Sequence, residues 1–177
     1  GSDPVVPPVE GIHSGNVYTA QQVLGGAVKP RGKDIAVIGS GGTGIETAEF
    51  LLDGGNRITL IDMLPRIGAL AGGSDTYVLM DIMNRIKTLP GMKLAAVDGE
   101  TLKLTNAETG KETALHADYV VLALGLRRND ALVGELREKG ITAVTIANAF
   151  KVGDISYSVK HAFYNAFYFD GCPEEMV

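Results

Sequence analysis

The chain has 177 residues, of which 45% are hydrophobic and 21% charged, and its formal net charge is −5. This balance is typical of a soluble globular domain with some additional chain, and it excludes a disordered or a membrane-spanning protein. The lack of a basic stripe argues against nucleic-acid binding, and the single cysteine, Cys172, excludes an internal disulfide and indicates a reducing cytoplasm.

Residues 3–32 are rich in proline and glycine and are typical of a connecting arm. A short helical stretch at residues 19–24 interrupts the arm. Gly1 and Ser2 are interpreted as a tag remnant. We therefore expect the arm to join this domain to another one.

A strand–helix–strand unit follows the arm. Residues 34–38 are apolar and β-branched, residues 43–53 have helical periodicity, and residues 57–61 form a second strand signal that Asp62 closes. The helix ends at Gly54-Gly55, a common helix terminator. Its buried face is predicted to contain Ile45, Ala48 and Leu52. The unit implies a parallel pair of strands.

The next segment predicts a second helix and then an antiparallel meander. The helix begins at residues 72–75 and ends at Pro90-Gly91. The meander covers residues 93–117, with turns at Asp98-Gly99 and Thr109-Gly110. The buried face of the helix is predicted to contain Leu79, Ile82, Met83 and Ile86.

The remaining chain predicts more strands and a final helix. Residues 119–124 form a continuous buried strand that ends at Gly125. Short strands are expected at residues 144–146 and 150–152. The final helix covers residues 156–169, with Val159, Ala162, Phe163 and Ala166 on one side.

The turn between the first strand and its helix is the clearest motif. Gly39-Ser40-Gly41-Gly42-Thr43-Gly44 has the pattern G-x-G-x-x-G. Gly39 permits the tight turn, Gly41 lets a pyrophosphate approach the backbone, and Gly44 lets helix and strand pack closely. The helix start offers free N–H groups and a positive dipole end. A turn built for packing alone is the alternative, but the flanking strand, helix and acid favour dinucleotide binding.

Asp62 bears on which dinucleotide is bound. It follows Gly44 at about the 20-residue spacing expected of such motifs and can accept hydrogen bonds from the adenosine ribose. Its carboxylate repels a 2′-phosphate and so favours NAD(H). Arg66 is either a pairing partner for the 2′-phosphate of NADP(H) or a solvated surface arginine. No metal site is predicted, because the three histidines lie far apart in the sequence.

Residues 39–48 have the pattern G-x-G-x-x-G-x-E-x-A, which resembles the pyridine-nucleotide domain of flavoproteins that bind two dinucleotides. Together with residues 49–51 and 62–65, they are similar to the C-terminal region of the NADH:flavin oxidoreductase family. This is the group of 2,4-dienoyl-CoA reductase, NADH oxidase and trimethylamine dehydrogenase. The arm and residues 123–129 also resemble that family, and the resemblance covers almost the whole chain.

The resemblance implies roles for four further residues. Glu46 is expected near the nicotinamide end of the site, although an acid in a first helical turn is also explained by the helix dipole. Ala123 and Gly125 are expected to line the same end with their backbone. Val152-Gly153-Asp154 resembles the Gly-Asp motif whose Asp contacts the flavin, with a helix-capping acid as the alternative.

The sequence thus predicts an α/β fold, a Rossmann-like parallel sheet with an antiparallel meander. The resemblance implies that this domain is inserted within a flavoprotein that binds two dinucleotides. Residues 1–32 are assigned to a tag remnant and linker arm, 33–150 to the NAD(P)-binding domain, and 151–177 to an incomplete FAD-type domain. The predicted cofactor of this chain is NAD(H) or NADP(H). The resemblance implies FAD or FMN and an iron–sulfur cluster elsewhere in the larger enzyme. No catalytic residue is assigned within this chain.

The function predicted is hydride transfer from NAD(P)H to flavin and on to an organic acceptor of the enoate or dienoyl-CoA type. The alternative is a non-catalytic module that binds ADP or is purely structural, as in an amine-dehydrogenase-like flavoprotein. The expected partners are the remainder of the polypeptide and, through the aromatic final helix, a second copy of the fragment. No nucleic acid or membrane partner is expected, and the expected location is the cytoplasm.

Overall fold

A computed structural model of the chain describes residues 1–168. Phe169, the predicted end of the final helix, and Cys172 lie outside the described residues. The chain forms two compact units, one of residues 4–125 and another of residues 1–3 with residues from 126 onward. The domain boundaries predicted at residues 32 and 150 stay predictions.

The described chain contains ten strands, five α-helices and one 3₁₀ turn. In chain order they are β1 (Ser2–Pro4), β2 (Val17–Thr19), α1 (Ala20–Leu24), β3 (Asp34–Ile38), α2 (Gly42–Leu52), β4 (Arg57–Asp62), α3 (Gly73–Ile82), β5 (Lys87–Pro90), β6 (Met92–Asp98), β7 (Thr101–Asn106), β8 (Glu112–His116), β9 (Tyr119–Leu122), β10 (Leu126–Arg128), α4 (Ala131–Glu138), a 3₁₀ turn (Ala147–Ala149) and α5 (Ile155–Phe167).

A five-stranded parallel sheet forms the centre of the unit of residues 4–125. Its strand order is β2-β9-β3-β4-β5, and every neighbouring pair is parallel. Strand β3 therefore lies in the middle, with β9 and β4 beside it. The predicted α/β class with a parallel sheet is confirmed.

Alternating side chains of the sheet point to opposite faces and pack in two different core layers. Ile35 and Val37 of β3 pack against α1, α2 and α3, whereas Ala36 and Ile38 face the meander. The meander consists of β6, β7 and β8, paired antiparallel in that order. The unit is thus a three-layer fold, and both faces of β3 are apolar because both are covered.

The predicted βαβ unit and meander are confirmed, with small differences in their bounds. Of the predicted buried face of α2, Ile45 and Ala48 are buried, whereas Leu52 is partly buried against the same core and Leu51 is buried instead. Gly55 takes a left-handed φ of 69° just beyond the helix end. Gly99 and Gly110, with φ of 57° and 70°, form the two predicted meander turns. The turn glycines therefore permit the backbone conformations that the chain reversals need.

The second helix is shorter than predicted. It ends at Ile82, which is fully buried, so Met83 lies at the helix end with 41% of its surface exposed. The predicted buried position of Met83 is therefore wrong. Residues assigned to the end of this helix form β5 instead, because their backbone pairs with β4. Pro90 fits there, since β5 is an edge strand and its outer side needs no N–H donor.

The arm contributes a strand that the sequence analysis missed. Val17, Tyr18 and Thr19 pair in register with Val120, Val121 and Leu122 of β9. Thr19 then caps α1: it accepts the N–H of Gln22, whose side chain accepts the N–H of Thr19 in return. Residues read as a linker therefore complete the sheet, and the capping box explains why α1 begins where it does.

The second unit contains β10, paired with β1, followed by α4, the 3₁₀ turn and α5. The strands predicted at residues 144–146 and 150–152 are wrong: the structure has no strand at either place, and a 3₁₀ turn lies between them. Their β-branched residues favour strands only where a partner strand is available. Within residues 1–168, no helix is long and apolar enough to cross a bilayer.

Helix α5 presents a largely exposed apolar side. Val159 and Phe163 expose 63% and 62% of their surface, and Phe167 exposes 69%. In contrast, Asn165 is buried, and His161 stacks on Phe150 with ring centroids 4.6 Å apart. The homodimer expected from the aromatic helix stays a prediction.

Candidate functional site

The glycine turn lies where β3 passes into α2, at the carboxyl end of the central strand. Gly39 has a φ of 103°, a left-handed conformation, and its N–H donates to the carbonyl of Ile61 at 2.8 Å. A Cβ on Gly39 would collide with the carbonyl oxygen of Ala123, and one on Gly44 with that of Gly39. Both positions require glycine because backbone atoms occupy the place of a side chain.

Gly41 differs from these two glycines because it faces open space. A Cβ placed on it would meet no atom within 4 Å, and its φ of −71° is an ordinary one. Gly41 is the N-cap of α2 and supplies no side-chain cap for that helix. The open space at Gly41, called the gap below, thus lies at a helix amino end, where the first N–H groups have no intrahelical partner, an arrangement that binds phosphates.

Asp62 holds this turn in place from the end of β4. Its Oδ2 accepts the backbone N–H of Ser40 at 2.7 Å and the Ser40 hydroxyl at 2.6 Å, while its Oδ1 accepts the N–H of Leu64 at 2.9 Å. Ser40 is buried, and its Oγ also accepts the N–H of Gly68 at 2.9 Å. The acid that was predicted to meet the ribose is thus also the anchor of the glycine turn.

A second carboxylate approaches the turn from the start of α3. Asp75 is so close to Gly42 that a Cβ on Gly42 would collide with Asp75 Oδ2. The sequence analysis assigned Asp75 only to the start of the second helix. The sequence signal that could have indicated this contact is Gly42, the additional glycine of the turn, which the three-glycine pattern does not require.

The other predicted site residues of this unit differ in their burial and contacts. Ala123 is buried beside Gly39, and its N–H donates to Ile38. Gly125 follows with a φ of 86°, and its carbonyl accepts the N–H of Val5. Exposed side chains among the predicted set are those of Thr43, Glu46 and Arg66. The assigned roles of these residues stay predictions.

Asp154 belongs to the other unit. Its Oδ1 accepts the N–H of Tyr157 at 2.6 Å, which makes it the N-cap of α5. This is the capping role that was the alternative to flavin contact. The structure therefore explains Asp154 locally, and its contact with a flavin stays a prediction.

The opposite end of β3 carries an ion-pair cluster. The Arg57 guanidinium donates two hydrogen bonds of 2.6 Å to Asp34 and lowers the pKa of that carboxyl. The N–H of Asp34 donates to Asp118 Oδ2 at 2.8 Å and, with Lys33, lowers the pKa of Asp118. His116 Nε2 lies 3.9 Å from Asp34.

This cluster includes three residues, Asp34, His116 and Asp118, whose ligand atoms lie within 4.8 Å of one another. However, Arg57 occupies both oxygens of Asp34, and Asp118 already holds a backbone N–H and Lys33. A cation bound there would have to displace existing charge-assisted hydrogen bonds. The cluster is better explained as an ion-pair network than as a metal site.

Comparison with known proteins gives a clear family match. Residues 1–158 match the family described as pyridine nucleotide-disulphide oxidoreductase. The chain is 32% identical over 166 residues to bilirubin reductase of Mediterraneibacter gnavus, covering 92% of this chain and 25% of that protein. It is 29% identical over 177 residues to NADH oxidase of Thermoanaerobacter brockii, covering 92% and 26%. Cinnamate reductase of Clostridium sporogenes is 29% identical over 168 residues, with 92% and 24% covered.

Solved structures support the fold. A 2-naphthoyl-CoA reductase superposes with a TM-score of 0.78 at 21% identity, covering 92% of this chain and 25% of its own. Histamine dehydrogenase from Rhizobium sp. 4-9 gives a TM-score of 0.79 at 16% identity, covering 98% and 29%. The chain spans about a quarter of the length of the curated relatives named above.

Proposed function

The chain belongs to the pyridine nucleotide-disulphide oxidoreductase family, and we propose that residues 4–125 bind NAD(H) or NADP(H) at the glycine turn. Membership of this family implies a pyridine nucleotide and a flavin as cofactors. The observation that supports the proposal most is the open backbone gap at Gly41. It lies beside the uncapped amino end of α2, at the carboxyl edge of the central strand.

The residues present fit a dinucleotide. Gly41 leaves room for the diphosphate, and the first N–H groups of α2 are the donors that would hold it. Asp62 keeps the turn in position through Ser40 and, because each carboxylate oxygen has more than one lone pair, can still accept from a ribose hydroxyl. When bound, the nicotinamide supplies the hydride, and the protein supplies binding and orientation.

Asp62 also supports NAD(H) over NADP(H). Its carboxylate lies at the end of β4, where an adenosine ribose is held in this fold, and a 2′-phosphate there would meet a negative charge. Arg66 is exposed four residues further on and is the one cation proposed to offset that repulsion. We therefore propose a preference for NAD(H), with Arg66 setting how strong that preference is.

For the larger protein we propose transfer of hydride from NAD(P)H to flavin and on to an organic acceptor, as in the NADH:flavin oxidoreductase group. Two of the relatives are named reductases of cinnamate and of bilirubin, and both names denote conjugated organic acceptors. The proposed acceptor is therefore an enoate or a related conjugated compound. FAD or FMN, and an iron–sulfur cluster, would be carried by the remainder of the polypeptide, which is the proposed partner of this chain.

Calorimetric titration of the chain with NADH, NADPH, ADP and adenosine tests the proposal. We expect NADH and ADP to bind more tightly than adenosine, because adenosine lacks the diphosphate. The Gly41→Ala variant should weaken NADH binding at least about tenfold, corresponding to about 1.4 kcal/mol, because its methyl group enters the gap. It should remain folded, because Gly41 has an ordinary φ and no neighbour to collide with.

Gly134→Ala is the matched control, since Gly134 also faces open space but lies in α4, in the other unit. Its NADH affinity should equal that of the unaltered chain. Equal binding of NADH and ADP would instead favour the ADP-binding module considered above. No binding of any nucleotide would contradict the proposed function.

A further inference from the structure

Gly42 has no reason to be glycine in the three-glycine pattern. The tight turn, the close approach and the helix packing are assigned to Gly39, Gly41 and Gly44. Gly42 is the first residue of α2 and does not have the positive φ that favours glycine. In the structure, the carboxylate of Asp75 lies in the place that a Cβ on Gly42 would fill.

This placement puts a negative charge at the positive end of a helix. The partial positive charge at a helix amino end attracts carboxylates and phosphates alike. The N-cap of α2 is glycine and provides no side-chain acceptor of its own. The Asp75 carboxylate therefore lies close to the amino end of α2, beside the place where a diphosphate would be held.

Two anions at one helix end repel each other, because the attraction that each gains from the dipole is offset by their mutual Coulomb energy. A diphosphate that enters the gap at Gly41 must either displace Asp75 or bind beside its charge. We propose that Asp75 competes with the diphosphate of the dinucleotide for the amino end of α2 and thereby lowers its affinity. This inference rests on the proposed function, because it concerns the same site.

The Asp75→Asn variant tests the competition, since asparagine keeps the size of the side chain and removes its charge. The matched control is Asp81→Asn, which removes an equal charge from an exposed position on the same helix. Calorimetry with ADP and NADH at low ionic strength should show binding at least about fivefold tighter for Asp75→Asn than for the unaltered chain. Asp81→Asn should differ from the unaltered chain by much less.

Two further measurements separate a local effect from a general one. The gain in Asp75→Asn should shrink at about 1 M salt, where the screening length falls to about 3 Å. Adenosine, which has no phosphate, should bind all three proteins equally. A gain for adenosine as large as that for ADP would contradict competition for a diphosphate.

The outcomes distinguish this inference from the proposed function. If the unaltered chain binds NADH and Asp75→Asn binds it equally or more weakly, the competition is wrong and the proposed function stands. Equal gains in Asp75→Asn and Asp81→Asn would also overturn the competition. If none of the three proteins binds a nucleotide, both the inference and the proposed function are wrong.

The contact itself can be tested without a ligand. Gly42→Ala should lower the melting temperature slightly in the unaltered chain, because its methyl group must push aside the flexible end of the Asp75 side chain. In an Asp75→Ala background the same change should not lower it, since alanine is preferred over glycine within a helix. An equal loss in both backgrounds would show that Asp75 does not lie against Gly42.

Discussion

Ser40 connects the glycine turn to the end of β4 and to the segment that follows it. Its backbone N–H and hydroxyl both donate to Asp62, and its oxygen accepts the N–H of Gly68. Because the side chain is buried, these groups have little access to water as a substitute. These hydrogen bonds restrain the turn, and such preorganisation lowers the entropy that binding would otherwise cost.

Ser40→Ala should lower the free energy of unfolding by about 1–3 kcal/mol, because it removes a charge-assisted hydrogen bond and leaves the Gly68 N–H without its acceptor. Urea denaturation measures this change. Ser74→Ala, which alters an exposed serine at the start of α3, is the control and should be nearly neutral. A Ser40→Ala variant as stable as the control would show that the hydroxyl does not hold the turn.

The glycine positions of the candidate site could be predicted from the sequence, because local backbone geometry requires them. Gly39 and Gly44 are glycines because main-chain atoms approach them, and the G-x-G-x-x-G spacing carries that information. The contact of Asp75 with Gly42 was missed, because it depends on how α3 packs beside α2. The spacing of Gly42 and Asp75 in the sequence does not indicate that the two residues are in contact.

At the level of elements, the ends of the central strands have different chemistry. The carboxyl ends of β3 and β4 hold the glycine turn and Asp62, whereas the amino ends hold the ion pairs of Asp34, Arg57 and Asp118. Asp118 precedes β9 and accepts the first N–H of β3, so it fixes the register of two neighbouring strands. The network at this end thus contributes to the fold rather than to the proposed nucleotide site.

The pKa of Asp118 is lower in the folded chain than its ordinary value, so the ionised form stabilises the fold. This contribution is fully present above the unfolded pKa and is lost as the pH falls through the folded pKa. In Asp118→Asn, the free energy of unfolding should therefore decrease less steeply between about pH 5 and pH 3 than in the unaltered chain. Denaturant titrations at a series of pH values measure the slope.

Asp81→Asn provides the comparison, because Asp81 is an exposed carboxyl on α3. It should reproduce the pH dependence of the unaltered chain. If Asp118→Asn did the same, the hydrogen bond from Asp34 to Asp118 would not contribute to acid stability.

The elements themselves were predicted unevenly, for a physical reason. The βαβ unit and the meander were found because their apolar periodicity and turn glycines are local signals. Strands β2 and β5 were missed, since each is short and lies at an edge of the sheet, where pairing with a neighbour decides the conformation. The strands expected at residues 144–146 and 150–152 had the right residue types but no partner strand.

At the scale of the whole molecule, the chain belongs to the pyridine nucleotide-disulphide oxidoreductase family and spans about a quarter of the length of its curated relatives. The unit of residues 4–125 has a sheet covered on both faces and a complete glycine turn. We therefore propose that nucleotide binding needs only this unit.

The most direct test of this account is to map NADH onto the chain by NMR, following each assigned backbone amide during a titration. We predict that the largest shifts fall on residues 39–44 at the start of α2, while the meander of β6, β7 and β8 stays unchanged. Saturable shifts confined to the meander or to residues 126–168, with none in the glycine turn, would contradict the central claim that this turn is the nucleotide site.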